Sequence, residues 1–280
     1  MKQSVIVKKS TGGTEIFNRN KLCSSLQKAG APAELANSIC SIVAGEVTPN
    51  MSTQSIFRKA LRYLVKEDID SAARYNLIRG IAQLGPTGFY FEQFVEALLQ
   101  AHDYTTKRGT HIAGECIVHE VDVFAEKGNF KYIVEAKYRN EKKGKTHVDQ
   151  VMYADARLMD IERAARKNGD TSSYNIWVVT NTEFTDTSIR YAECRNVQLI
   201  GWNYPEDGNS LEDMILRTRM YPVTVLPSIT LAARQVFMEH NIILAQDLLT
   251  YTENDLVKKF EFSHTLSRTL LRETHALLKA

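Results

Sequence analysis

Two short segments constrain this chain more than any other feature: His119-Glu120-Val121-Asp122-Val123-Phe124 and Ile133-Val134-Glu135-Ala136-Lys137. Between them, Glu126-Lys127-Gly128-Asn129-Phe130 reads as a hairpin turn, which makes the two segments paired strands. This puts an Asp at the end of one strand and a Glu and a Lys on the next. Strand side chains alternate faces, so Glu135 and Lys137 point the same way while Ala136 points into the opposite layer. Two carboxylates and an amine converging beside a turn are hard to explain as packing. They are the parts that hold a divalent metal and activate a water against a phosphodiester.

At 280 residues the chain has room for two or three domains. No apolar run approaches the roughly 20 residues that a membrane span needs, and no secretory signal opens the sequence. The four cysteines, Cys23, Cys40, Cys116 and Cys194, are scattered without CxxC spacing, so they read as reduced core residues in a cytoplasmic protein. The net charge of +2 conceals an asymmetry. Residues 1–85 carry 12 Lys/Arg against 6 Asp/Glu, residues 86–220 carry 17 against 21, and residues 221–280 balance at 6 against 6. A basic first segment suits a phosphate-bearing ligand, and part of the acidic surplus in the middle is the carboxylate cluster itself.

Along the chain, Val5-Ile6-Val7, the turn Ser10-Thr11-Gly12-Gly13 and Glu15-Ile16-Phe17 form a small hairpin, and Asn18 caps a helix over 19–29. Helical patterns follow at 33–46, 53–66 and 70–83. Leu84-Gly85-Pro86-Thr87-Gly88 then breaks the pattern and marks a domain boundary. Beyond it a helix covers 89–101, strands fall near 104–109, 115–125 and 131–138, and the Lys-rich loop Asn140–Lys145 leads into a helix over 147–167. A buried strand at 174–180, a helix over 186–194, a short strand at 197–201 and a loop at 205–210 complete an α/β unit. From Tyr221 onward the pattern is wholly helical, with elements near 228–239, 244–249, 252–259 and 263–278.

The run Gly88-Phe89-Tyr90-Phe91-Glu92-Gln93-Phe94-Val95 resembles the opening helix of the Mrr-like branch of the PD-(D/E)xK nuclease superfamily. Asp122 matches that family's Asp, Glu135-Ala136-Lys137 its (D/E)xK, and Val178-Val179-Thr180-Asn181-Thr182-Glu183-Phe184-Thr185 the strand and turn after the long helix. The resemblance covers about residues 86–205. It implies a site in which Asp122, Glu135 and Glu92 hold Mg2+ or Mn2+, Lys137 supports the attacking water and Gln150 assists. Oxygen ligands alone favour those ions over Zn2+. The bland alternative makes Asp122, Glu135 and Lys137 solvated residues of an edge hairpin. His111, His119 and His147 also fall in this region, as do Glu115 and Glu120, the latter on the strand face of Asp122.

At the N-terminus, Val5-Ile6-Val7-Lys8-Lys9 with Gly12, Glu15, Phe17-Asn18 and Lys21-Leu22 resembles the ATP-cone, a nucleotide-binding regulatory module. Ala73-Arg74-Tyr75-Asn76-Leu77-Ile78-Arg79 resembles its last helix. Cones commonly carry Arg-Asp after the lysine, where this chain has Ser10-Thr11. The resemblance implies ATP or dATP held by Val7, Lys8, Lys9, Glu15, Asn18 and Lys21. A glycine-containing hairpin lets backbone N–H groups approach phosphates, and lysines supply charge. Leu244–Leu249 and Leu256–Phe262 hint at a helix-hairpin-helix, but Lys259-Phe260-Glu261-Phe262 stands where its glycine-rich hairpin belongs.

The expected architecture is α/β, α+β overall, in three parts. Residues 1–85 form a mostly helical cone with an N-terminal hairpin, 86–220 a restriction-endonuclease-like mixed sheet flanked by helices, and 221–280 a small helical domain. The expected activity is DNA hydrolysis under ATP/dATP control, in a restriction or defence setting, by a homo-oligomer with no membrane contact. The alternatives are a nucleotide-sensing, nucleic-acid-binding protein with an inactive core, or an RNA nuclease.

Overall fold

Helical periodicity with well-placed caps builds the first part of the chain. In the computed structural model, which describes residues 5–9, 12–85, 87–140 and 144–279, β1 (Ile6–Lys8) and β2 (Thr14–Ile16) pair antiparallel with Val7 opposite Glu15. Ser10 and Thr11 of the first turn, Pro86 of the break and residues 141–143 of the Lys-rich loop lie outside the described residues. Four helices follow: α1 (Arg19–Lys28), α2 (Ala33–Glu46), α3 (Thr53–Glu67) and α4 (Ile69–Ile81). Asn18 caps α1, its side-chain oxygen accepting from the Lys21 N–H at 3.1 Å, and Ser52 caps α3 in the same way. Leu26, Ile39, Cys40, Val43 and Leu64 form the buried centre of this bundle.

The remaining elements are α5 (Phe89–Gln100), β3 (Thr105–Ala113), β4 (Val118–Lys127), β5 (Phe130–Lys137), β6 (Lys145–Thr146), α6 (Val148–Lys167), β7 (Ser173–Thr180), β8 (Glu183–Phe184), α7 (Asp186–Arg195), β9 (Gln198–Ile200), α8 (Leu211–Thr218), α9 (Leu231–Glu239), α10 (Glu253–Phe260) and α11 (His264–Lys279). The main sheet has the order β3-β4-β5-β7-β9, antiparallel from β3 to β5 and parallel from β5 to β9. On α5 the apolar residues Phe91, Phe94, Val95, Leu98 and Leu99 recur at helical spacing and are buried against β3 and β4. On the other side, α6 and α7 pack Val151, Ala154, Ile161 and Ala192 against Ile133, Ile176, Val178 and Leu199. The turn between β4 and β5 is two residues long, narrower than the five-residue stretch read from sequence. Gly128, at φ 62°, supplies its left-handed position.

The chain divides into two compact units: Met1–Ile78 with Val225–Ala233 and Leu248–Ala280, and Arg79–Thr224 with Arg234–Asp247. The division falls inside α4, several residues before the expected break, and the C-terminal helices are shared out between the units. Between α10 and α11, Glu261 takes the left-handed conformation (φ 57°) that a glycine would have supplied in a helix-hairpin-helix. Among the described residues no helix is long and apolar enough to cross a membrane.

Sequence reading missed α8 and the two-residue strands β6 and β8, which pair with each other. A capping box starts α8: the Ser210 side chain accepts from the Asp213 N–H, and Asp213 accepts from the Ser210 N–H. Ser210→Ala is expected to cost about 1 kcal/mol, read as a lower urea midpoint at unchanged m-value.

The four expected core thiols divide two and two. Cys23 and Cys40 are buried and face each other from α1 and α2 with Cα atoms 5.7 Å apart. Cys116, in the β3–β4 turn, and Cys194, on the outside of α7, are exposed.

Candidate active site

Strand pairing between β4 and β5 ends at Val123 and Val134, and the site begins where it stops. In place of a carbonyl from β4, the Asp122 side chain takes up the next β5 donor: the Ala136 N–H donates to its Oδ2 at 2.8 Å. Asp122 therefore stands mid-strand in β4, not at the strand end as the sequence suggested, because β4 runs on toward β3 after leaving β5. Parallel pairing with β7 fixes β5 from the other side, with Glu135 opposite Val178 and Lys137 opposite Thr180, whose hydroxyl donates to the Lys137 carbonyl at 2.7 Å.

Glu135 is 1% exposed, and a buried carboxylate needs counter-charge. Lys137, on the same strand face as expected, donates from Nζ to Glu135 Oε2 at 2.8 Å and lies 4.0 Å from Asp122 Oδ2. A second cation, absent from the sequence reading, reaches in from α6. The Arg157 guanidinium pairs with Glu135 Oε1, donates to the Glu120 carbonyl at 2.9 Å and lies over the Tyr153 ring. Burial lowers the pKa of Arg157, opposed by the charges of Asp122 and Glu120. Its signal was legible: Ala154, Arg157 and Ile161 lie on one helical stripe, so a charged residue faces inward.

Glu92, in the first turn of α5, is half-buried. Burial raises its carboxyl pKa, and the negative charge of Asp122 raises it further, against the pull of Arg108 and Lys137. The structure thus sets Glu92 in the field of Asp122. Among the described residues, however, no group of three or more His, Cys, Asp or Glu side chains could hold a metal ion. Asp122 and Glu135 both meet Lys137, and Glu92 lies within electrostatic reach of Asp122. The pair Asp122 and Glu135 suits Mg2+, which is bound through one or two carboxylates together with substrate phosphates and water.

The other sequence candidates have partners of their own or stand exposed. Gln150 donates its amide to Asp149 at 3.0 Å. Glu120 is exposed and contributes its carbonyl and its charge, while Glu115 pairs with Lys167 and Arg163. His111 is exposed, and His147 precedes α6 without a side-chain capping bond. His119 is buried and its Nε2 meets Asp160 Oδ2 at 2.8 Å. That contact, with N–H bonds from Cys116 and Ile117, lowers the Asp160 pKa from 3.8 to about 2. The depressed pKa makes the stabilisation complete above about pH 3.8 and lost as pH falls toward about 2. Melting temperatures across that window should fall less steeply for Asp160→Asn than for wild type.

At the N-terminal hairpin, Val7 is 1% exposed and belongs to the core. Lys8 is held in β1, its N–H donating to the Met51 carbonyl at 3.0 Å. Lys9 and Lys21 each place Nζ 3.6 Å from Glu15 Oε2, and the Asn18 side-chain oxygen is engaged in capping. In the last helix Arg74 pairs with Asp70 at 2.8 Å, and Tyr75 stacks on Phe57.

An uncharacterized protein of Archaeoglobus fulgidus is 35% identical to this chain over 129 residues, 46% of this chain and 69% of that protein. The chain belongs to the same family as this archaeal protein. Residues 85–215 match the Mrr_cat family, described as restriction endonuclease, and residues 221–278 match the family described as AF1548-like, C-terminal. The crystal structure of the protein of unknown function AF1548 aligns with 69% of this chain and 99% of its own length, at 27% identity and a TM-score of 0.55. The MspJI restriction endonuclease in complex with a 27-mer oligonucleotide aligns with 56% of this chain and 31% of its own, at 12% identity and a TM-score of 0.34. The central mixed sheet flanked by helices is a restriction-endonuclease-like domain, as its motifs implied.

Proposed function

We propose that the chain is a metal-dependent DNA endonuclease with a restriction or defence role. In this reading its N-terminal part binds ATP or dATP and so adjusts cleavage or assembly into a homo-oligomer. The observation that carries it is the convergence of Asp122, Glu135 and Lys137 where β4 and β5 part, inside the stretch that matches the restriction endonuclease family. A bound Mg2+ or Mn2+ would supply Lewis acidity and a more acidic water at that point. Asp122 and Glu135 are its protein ligands, with Glu92 adding negative charge from α5. Lys137, already between the two carboxylates, orients the nucleophile and offsets developing charge. Arg157 holds Glu135 from behind, so that Oε2 is presented forward. Gln150 assists only when its amide turns away from Asp149.

In the N-terminal part, Glu15 sits between Lys9 and Lys21 as a phosphate would. A triphosphate displaces it and takes both lysines, with Lys8 adding charge, while Val7 anchors the strand and Asn18 fixes the helix start. Coupling to the nuclease requires different nucleotide affinity in two states of the protein.

One observation favours the rival reading, an inactive nuclease-like core that only grips nucleic acid. Both oxygens of Glu135 are occupied by cations of the chain itself. The deciding experiment incubates purified protein with plasmid or with RNA, in Mg2+ or chelator, with and without ATP. The endonuclease reading expects Mg2+-dependent DNA cutting whose rate changes with ATP. Cutting of RNA alone selects the RNA nuclease, and intact substrates throughout select the binding protein.

A further inference from the structure

A cavity of about 410 Å³ opens on the side of the sheet away from Glu135 and Lys137. Tyr132 alternates with Ile133 and Glu135 along β5 and therefore points to the opposite face. Register carries this face across the sheet: Tyr132 pairs with Asn175, and Val134 with Trp177. The cavity lies toward the start of β5, roughly 10 Å of strand from Glu135. Its volume falls within the roughly 300–1,000 Å³ of small-molecule pockets.

Three kinds of group line it. Tyr104, Tyr132 and Trp177 form an aromatic cluster, with ring centroids 4.6 to 5.4 Å apart. Lys127 and Arg217 bring two positive charges. Lys127 lies 4.9 Å from the Tyr104 ring centroid and donates to the His102 carbonyl at 2.9 Å, and Arg217 donates to the Gly208 carbonyl and to Asn209 Oδ1. Neither is paired with a carboxylate among the described residues. The third group is Asn175, whose buried Nδ2 has no hydrogen-bond partner. A buried donor left unmade is costly, and the residue that carries it lines the cavity.

We propose that this cavity binds a single nucleotide: the aromatic cluster takes the base, Asn175 donates to an acceptor on its edge, and Lys127 and Arg217 take the phosphate. Aromatic rings accept any base face, cations without counter-charge select an anion, and the amide asks for an acceptor that a nucleobase offers. A free nucleoside monophosphate and one nucleotide of a strand share this chemistry. The site does not depend on the nuclease reading, since no residue of it belongs to the Asp122 cluster.

The test uses the full chain carrying Lys9→Ala and Lys21→Ala, which silences any nucleotide site at the hairpin. Binding of nucleoside monophosphates and of a short single-stranded oligonucleotide is followed by calorimetry and by tryptophan fluorescence. Inorganic phosphate and ribose 5-phosphate serve as base-free controls. Binding of a monophosphate or of the oligonucleotide is expected, with little from the controls, and Tyr132→Leu or Arg217→Ala should weaken it about tenfold or more. Asn175→Ala, which removes no charge or ring, should weaken it less but measurably in a protein of unchanged circular dichroism. Binding of the monophosphate assigns a free ligand, and binding of the oligonucleotide alone assigns a strand. The proposal is overturned if neither binds at millimolar concentration, if inorganic phosphate binds equally well, or if the three folded variants bind like their parent.

Discussion

Lys137→Ala is expected to lower DNA cleavage about 100- to 10,000-fold, the span seen when a positioned charge or proton-transfer group is removed. The large effect follows from its place. Its ammonium lies 2.8 Å from one carboxylate and 4.0 Å from the other, so it can neutralise neither without also facing what binds between them. Its side chain is 23% exposed and Arg157 still pairs with Glu135, and a melting curve recorded beside the activity separates loss of chemistry from loss of fold. Glu135→Ala should lose at least as much, and its melting curve must be recorded beside its activity, because it strands Arg157. Single-turnover rates with saturating enzyme separate the chemical step from DNA binding. A Lys137→Ala protein that cuts at the wild-type rate removes Lys137 from the mechanism.

Arg157→Ala should have the largest effect on stability. Glu135 is 1% exposed and Arg157 11%, and breaking a buried ion pair from one side leaves an uncompensated charge. About 3 kcal/mol is expected, a fall of roughly 6–12 °C in Tm for a unit of this size. Lys137 remains on the other oxygen and limits the damage. The pair as a whole need not be stabilising, so Arg157→Met combined with Glu135→Gln should recover much of the loss. A double variant as unstable as Arg157→Ala would mean that Arg157 acts through its packing on Tyr153 and not through the pair.

Local signals carried the elements that stand on their own. The helix at 33–46 was legible to the residue, because Pro32 precedes it and Ala36, Ile39, Cys40 and Val43 repeat at helical spacing. The β4–β5 hairpin was legible from alternation and Gly128. What escaped depends on contacts distant in sequence. The strands β6 and β8 are two residues each and exist only because they meet. The α8 start, Ser210 with Asp213, was readable as a capping pair but was obscured by the loop before it. At the site, residue types and strand faces were legible for Asp122, Glu135 and Lys137. The parting of β4 from β5, which gives Asp122 its backbone partner, was not, because it depends on where two registers stop agreeing. For Arg157 the inward-facing position on the α6 stripe was legible but its partner was not, because Glu135 lies 22 residues earlier on another element and the crossover into α6 brings the two together.

The central claim is that Asp122 and Glu135 together take a divalent cation beside nucleic acid. The most direct measurement is Mn2+ binding, by electron paramagnetic resonance, in the presence of a DNA duplex, to two proteins that both carry Lys137→Ala to suppress cutting, one with Asp122 intact and one with Asp122→Asn. Bound Mn2+ in the first and none in the second is the predicted result. Equal Mn2+ binding by the two proteins, or none by either, would contradict it.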